Sequence, residues 1–240
     1  MKLALRGPTN GPRLFGALPS PPDPADLPLA AAFDRLRVEV AVPPPALVRP
    51  NVGPLLNQGS TPMCVAYSAA GQQAWFDYVE KGKWYGFDYA HHFRDIGGSS
   101  AGAYLRTSLS RRVNYGLPER GWLPADGKHR AKMFVRVAVN PSALRQALVL
   151  MPLVIGVRWP YSWMDPEDDG MLPTPGGGEA GGHALWVPSY VPRGLVPRNS
   201  WGAWGCKVPT APKGNGNCIL QWDHLDRVFE AWGVLDAPTP

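Results

Sequence analysis

The stretch that decides the fold is residues 57–81, NQGSTPMCVAYSAAGQQAWFDYVEK. It opens on turn-formers and passes into a long helical pattern. Thr61 or Ser60 suits a helix N-cap, Pro62 suits the first helical position, and Gly82 supplies a stop. Val65, Ala69, Gln72 and Phe76 fall on one side of such a helix; Cys64, Ser68, Trp75 and Val79 fall on an adjacent one. Most of its residues are apolar or small, which predicts a central, largely buried helix. Cys64 would then stand in the first turn. Unpaired N–H groups and the positive end of the helix dipole favour the thiolate there, and the thiolate is the reactive species.

Working outward, further helices are expected at 101–115, ending at Gly116, and at 141–150, opening on Pro141. Beyond residue 150 the pattern changes to short β-prone runs separated by Gly and Pro: LVIGVRW (153–159), HALWVPSY (183–190), GLVPRNS (194–200) and CILQW (218–222). Residues 170–182 and 209–217 read as loops. Helices first and strands second predict an α+β fold in two lobes. On the N-terminal side, 12 of the 28 prolines lie in residues 1–54. Residues 1–33 therefore read as an extended arm, 34–40 as a short strand, and Pro43-Pro44-Pro45 as a stiff spacer.

Two more segments carry chemistry: Gly181-Gly182-His183-Ala184-Leu185, and Asn199-Ser200-Trp201-Gly202. A Cys nucleophile needs a base, and the base needs an orienting partner. His183 follows a glycine run that eases its placement in a cleft. Asn199 can fix the tautomer of a His ring without adding charge.

Together these segments resemble the papain-like cysteine peptidases. That family places a Gln six residues before its nucleophilic Cys, as Gln58 precedes Cys64. It places an Asn, within Asn-Ser-Trp-Gly, sixteen residues after its base His, as Asn199 follows His183. The order Cys, His, Asn also matches. The resemblance covers about residues 34–235, with 217–229 matching a final strand and helix. It implies a helical lobe at about 50–135 carrying the Cys helix, and a β-rich lobe at about 136–240 carrying His and Asn. By resemblance, Cys64 attacks an amide carbonyl, His183 is base and then acid, and Asn199 orients it. Trp201 shields that pair from water, and Gln58 with the Cys64 N–H forms the oxyanion hole. Gly97, Gly98 and Ser99, ahead of a helix, resemble the wall of the substrate groove. No cofactor or metal is implied; the implied partner is a peptide or protein substrate.

The sequence departs from the family at Met63 and Val65, where Ser and Trp are common, and at Gly182, where an acid or Asn is frequent. Cys206–Asn217 reads as an insertion, and the long helical propeptide of the family has no counterpart.

Each residue also has a bland reading. A lone Cys is most often a small buried hydrophobe; His91, His92, His129 and His224 lack catalytic context. Asp165, Glu167, Asp168 and Asp169 form a run too short for a calcium loop. The Lys and Arg residues behind the net charge of +5 are scattered, which gives nucleic-acid binding no footprint. No apolar run is long enough to span a membrane, and MKLALRGPTNGPRLFG lacks a signal-peptide core, so a cytoplasmic or assembly-bound location is expected. Cys206 and Cys218 flank a turn-rich segment; a disulfide and two buried thiols stay open alternatives. Function likewise has competing readings. One is a general cysteine peptidase, one an amidase of cell-wall peptide crosslinks, and one a non-enzymatic docking module. The apolar residues of the arm, among them Leu14, Phe15 and Leu18, suit a tether to a larger assembly such as a virion; a lid over Cys64 and a packed segment are the alternatives.

Overall fold

The computed structural model describes residues 13–36, 42–50, 52–121, 129–166, 170–205, 208 and 215–235. Two layers meet at the cleft. The first holds helices. The N-terminal arm enters as strand β1 (Ala17–Leu18) and continues into helix α1 (Leu29–Leu36). Then come α2 (Cys64–Lys81), α3 (Tyr89–Asp95), strand β2 (Ala103–Tyr104) and α4 (Leu105–Tyr115). The second layer is mainly sheet: β3 (Met133–Val137), α5 (Pro141–Leu150), β4 (Leu153–Pro160), β5 (Glu179–Val191), β6 (Gly194–Arg198), β7 (Leu220–Gln221) and β8 (Val228–Leu235). The six strands lie in the order β3-β8-β4-β5-β6-β7, all neighbours antiparallel. The two-lobed α+β architecture is the expected one.

Helix α2 is central, as its composition requires. Cys64, Val65, Ala66, Ala69 and Gln72 are buried, and the helix packs on β5. Its small residues permit close approach: a Cβ on Gly71 would meet Trp186 Nε1 of β5 at 2.8 Å. Gly82 ends the helix in the left-handed region at φ 66°, with its N–H on the Tyr78 carbonyl at 2.8 Å. The start falls later than expected. Met63, not Thr61 or Ser60, is the N-cap, because Thr61 spends its hydroxyl on the Gln58 carbonyl at 2.6 Å. Cys64 is thus the first helical residue. Helix α5 starts at Pro141, as predicted, and Asn140 caps it by accepting the Ala143 N–H at 2.9 Å.

Several expectations are corrected. Residues 29–36 form a helix, not arm or strand. LAAAFDRL holds three alanines, two leucines and an arginine, all strong helix formers, and Pro28 restricts mainly the residue before it. Ala32 is fully buried, so this piece belongs to the folded body. Helix α4 begins at Leu105 and not at 101, because Gly102 at φ 115° and Ala103 are drawn alongside the arm. Residues 179–182, read as loop, extend β5. The expected final helix is a short 3-10 segment (Trp222–Arg227), and β8 follows it as an inner strand between β3 and β4. Cys206 and the acidic residues Glu167, Asp168 and Asp169 lie outside the described residues; Cys218 is buried. Among the described residues no cluster could hold a metal, and no helix is long and apolar enough to cross a membrane.

Candidate active site

The four predicted catalytic residues meet where the N-terminus of α2 faces β5 and the turn after β6. His183 lies on β5, and its Nε2 is 2.8 Å from the Asn199 side-chain oxygen. That oxygen is an acceptor, which places the proton on Nε2. It also accepts the Ser200 N–H at 2.8 Å, fixing the amide's orientation. The other ring nitrogen, Nδ1, makes no hydrogen bond among the described residues and is left to take a proton from a thiol. The backbone of Ala184, next to His183, hydrogen-bonds the Cys64 thiol, joining β5 to the helix terminus.

Gln58 is held from both ends. Its carbonyl oxygen accepts the Ser200 hydroxyl at 2.7 Å, and its amide donates to the Thr61 carbonyl at 2.7 Å. The neighbouring loop is tied down by Gln58 N–H to Ser200 O at 2.8 Å and by an Asn57–Trp201 bridge. The Asn-Ser-Trp-Gly turn therefore positions both the His183 ring and the Gln58 side-chain amide. Trp201 lies 4.5 Å from the His183 ring, inclined by 31°. Trp159 of β4, which the sequence did not single out, stands edge-on to both at 5.2 and 5.1 Å. These indoles keep water from the His183–Asn199 bond.

The cleft is filled by the chain itself. Leu14, Phe15, Gly16 and Ala17 run through it. The Leu14 carbonyl accepts from the Gln58 amide at 3.3 Å, so an arm carbonyl takes up the donor assigned to the oxyanion. Phe15 stands edge-on to His183 at 5.8 Å and to Trp201 at 5.7 Å. Gly16 lies against the thiol, and its carbonyl oxygen accepts the Ala103 N–H at 2.8 Å. Arg13 stacks on Trp201 at 4.4 Å, with its guanidinium nitrogens buried and without hydrogen-bond partners among the described residues. Strand β1 then pairs in parallel with β2, Ala17 opposite Ala103. Farther on, Ser20 donates to Glu230 at 3.1 Å, and Arg106 bridges to Asp23 and Asp26.

Burial under this segment reverses the expected electrostatics. Cys64 and His183 have no exposed surface. Desolvation pushes the thiol up to about 11, against backbone hydrogen bonds from Ala184, Gly16, Val65 and Cys64 that lower it. Desolvation takes His183 down to about 4, opposed by the Asn199 hydrogen bond and reinforced by the nearby Arg13 cation. The occupied cleft thus holds a neutral thiol and a neutral imidazole. The lowered thiol pKa expected from the helix terminus does not hold in this closed state.

Gly97, Gly98 and Ser99 lie just before the segment that meets the arm. Gly98 packs on Phe93, and Ser99 exchanges backbone hydrogen bonds with Gly102 at 3.1 and 2.9 Å. They build the turn that presents Gly102 and Ala103, and these two touch the arm. The only sequence signal for that strand was Gly102 itself, within a segment of helical composition. An open cavity of about 430 Å³ lies on another side of α2, bordered by Tyr67, Tyr89, Trp84 and Trp186; none of the four catalytic candidates lines it.

The fold, with Cys at the head of a central helix, His on the facing sheet and Asn in the turn that follows β6, is that of the papain-like cysteine proteases. Among solved structures it is similar to xylellain, a cysteine protease from Xylella fastidiosa, at TM-score 0.72 and 18% identity, covering 96% of this chain and 100% of that one. Procathepsin B S9 from Trypanosoma congolense superposes at TM-score 0.72 with 14% identity, covering 94% and 87%. Bromelain from Ananas comosus, solved with the inhibitor E64, gives TM-score 0.61 and 15% identity, covering 81% and 100%. No protein-family model and no curated protein sequence matches the chain.

Proposed function

We propose that the protein is a cysteine peptidase, and that the described part of its arm acts as a lid. The observation that carries the reading is the His183–Asn199 bond at 2.8 Å beside a Cys at a helix head, with Gln58 aimed at the same cleft. Once the arm leaves, water and the helix terminus again favour charge on the pair. Cys64 passes its proton to His183 Nδ1 and attacks a substrate carbonyl carbon. The oxyanion is held by the Gln58 amide and the Cys64 N–H, the donors that the arm carbonyl now engages in part. His183 returns the proton to the leaving amine, and water then releases the acyl group from the sulfur by the same base. Trp201 and Trp159 keep the imidazole oriented throughout.

The packing of residues 13–18 along the cleft of their own chain favours a lid over a tether for this part of the arm. Cell-wall peptides remain one class of substrate for the same chemistry.

Labelling with an E-64-type epoxide tests both parts. Bromelain is solved with that inhibitor, and an epoxide of this kind traps an activated Cys in a peptide groove. The full chain is expected to label slowly. A chain lacking residues 1–18 is expected to label stoichiometrically and fast, and its Cys64→Ser variant not at all. Deletion stops at 18 because Leu29 and Ala32 of α1 are buried in the body. If the truncated, folded chain resists the epoxide while iodoacetamide reaches Cys64, the protein is a docking module and the peptidase reading falls.

A further inference from the structure

We infer that the cavity of about 430 Å³ beside helix α2 is a binding site for a small aromatic carboxylate, separate from the catalytic cleft. Its volume is in the range of small-molecule sites. The inference does not depend on the peptidase reading.

The walls are flat and fixed. Tyr67 of α2 stacks on Tyr89 of α3, with ring centroids 4.0 Å apart and planes inclined by 19°. Trp84 is clamped from two sides. Tyr78 stacks on it at 4.3 Å, and Gly53 lies so close that an added Cβ would come within 2.7 Å of the indole. The small-residue face of α2 around Gly71 leaves the space between these rings open. Aromatic faces held in place by their neighbours can cover a planar apolar body at little cost in side-chain freedom.

The polar side chains left over on these walls can all donate a hydrogen bond. The Trp186 indole nitrogen lies over Gly71, where an added Cβ would meet it at 2.8 Å. Trp186 is 2% exposed, and its N–H has no hydrogen-bond partner among the described residues. A buried indole N–H ordinarily finds one, and an acceptor atom inside the cavity would supply it. The Tyr67 and Tyr89 hydroxyls likewise have no partner among the described residues. Burial holds both phenols above their usual pKa, and Arg120 pulls against that rise in each, so the guanidinium stands near both. The Arg120 backbone is pinned by its N–H on the Gly86 carbonyl at 2.8 Å. Its side chain makes no ion pair among the described residues, and the adjacent Glu119 is turned to His129 Nε2 at 3.7 Å. No Asp, Glu or Lys lines the cavity among the described residues, which leaves Arg120 as its charge. Asn57, also on the wall, spends its side-chain oxygen on the Gly59 N–H at 2.9 Å. Two hydroxyls beside a guanidinium suit a carboxylate, the rings suit a flat body, and the indole N–H suits an acceptor within that body.

Calorimetric titration of the full chain with quinoline-6-carboxylate tests the site. One molecule is expected to bind per chain. The neutral quinoline-6-carboxamide is expected to bind about tenfold more weakly, and 2-naphthoate, which lacks the ring nitrogen, severalfold more weakly. Arg120→Gln is expected to bring the acid and the amide level. Tyr67→Phe combined with Tyr89→Phe removes only the two oxygens and is expected to weaken the acid severalfold, with thermal unfolding confirming that the chain stays folded. Location is read separately, in a proton–nitrogen correlation spectrum. The Trp186 indole signal, assigned by its loss in Trp186→Phe, should move as the acid is added. No binding, equal affinity for acid and amide, an Arg120→Gln chain that still separates the two, or a Trp186 signal that stands still while the acid binds overturns the site. Tighter binding of the peptide Gly-Gly-Trp would assign the cavity to a chain terminus and overturn the small-molecule occupant.

Discussion

Two buried histidines in this protein sit in nearly the same setting and meet different partners. His183 bonds Asn199 at 2.8 Å within a cage of Trp159, Trp201 and Phe15. His129 bonds Asp77 of α2 at 2.8 Å, with Tyr85 and Phe87 edge-on at 4.8 and 5.0 Å. Partner distance, burial and aromatic packing do not separate them; the partner's charge and the second nitrogen do. Around His129 both nitrogens face carboxylates, with Glu119 at 3.7 Å from Nε2. Burial would push Asp77 up, but hydrogen bonds from His129 and Lys81 overcome it and hold the carboxyl below its usual range. That pair is a clamp tying α2 to the segment after α4. Around His183 the partner is neutral and Nδ1 is open. A proton can arrive and leave without stranding a buried carboxylate.

The sharpest way to break this comparison is to remove each ring. His183→Ala is expected to leave the fold intact and to remove nearly all turnover, on the order of 10³-fold or more, since the base acts as a unit with its nucleophile. His129→Ala leaves a buried carboxylate facing a void and is expected to cost about 3–5 kcal/mol of stability. The molecules still folded should keep their activity. Urea unfolding and active-site titration with the epoxide separate the two effects. Equal loss of turnover per folded molecule in both variants would erase the distinction.

How much of this was legible in the sequence follows from what each feature depends on. That Gln58, Cys64, His183 and Asn199 would come together could be read because the pattern that groups them is one of residue type and chain spacing. Helix α2 could be read because Pro62 and Gly82 bracket an uninterrupted helical run, although Pro62 falls ahead of the N-cap, Met63, and Thr61 misled by bonding Gln58 and not the helix. Helix α1 was masked by the prolines before it. Strand β8 was masked because a central strand, buried on both faces, loses its period-two signature. The occupied cleft could not be read at all: Leu14-Phe15-Gly16-Ala17 is an ordinary apolar segment until Gln58, Trp201 and Gly182 surround it. The rise in the thiol pKa follows from the same cause, since no spacing shows that an arm will exclude water.

A smaller effect sharpens the contrast through pH. His183 is held at about 4 in the closed cleft against an ordinary 6.5, mainly by burial. Between those values the open form binds the proton that the closed form refuses, so closure is fully favoured above 6.5 and weakens as pH falls toward 4. Cys64 has the opposite sense, held at about 11 against 9.0, so closure weakens again as pH rises from 9 toward 11. Arm protection should therefore peak between about 6.5 and 9, and the open fraction should grow by up to roughly tenfold per pH unit on the acid side. Arg13, the cation that faces His183 from the arm, adds to the acid effect and leaves with the arm. Hydrogen exchange of the 14–17 amides, corrected for the intrinsic rate at each pH, measures it. Flat protection from pH 4 to 8 would mean that His183 does not feel the arm.

The smallest expected effect lies at the outer edge of the other histidine. Lys81 meets Asp77 at 2.9 Å one helical turn on, with 39% of its side chain exposed against 1% for the aspartate. Water at the lysine end screens the pair, so Lys81→Ala is expected to cost about 0.3–0.5 kcal/mol, as for an ordinary helical ion pair, and to do so mainly at low salt. Asp77 would keep its buried bond to His129, which carries the clamp. The lysine matters as a discriminator because Asp77 has two cationic or donating neighbours and the structure ranks them by burial. A loss near that of His129→Ala in a urea titration would place the compensating charge on Lys81. The two histidines of the molecule would then be more alike than their partners suggest.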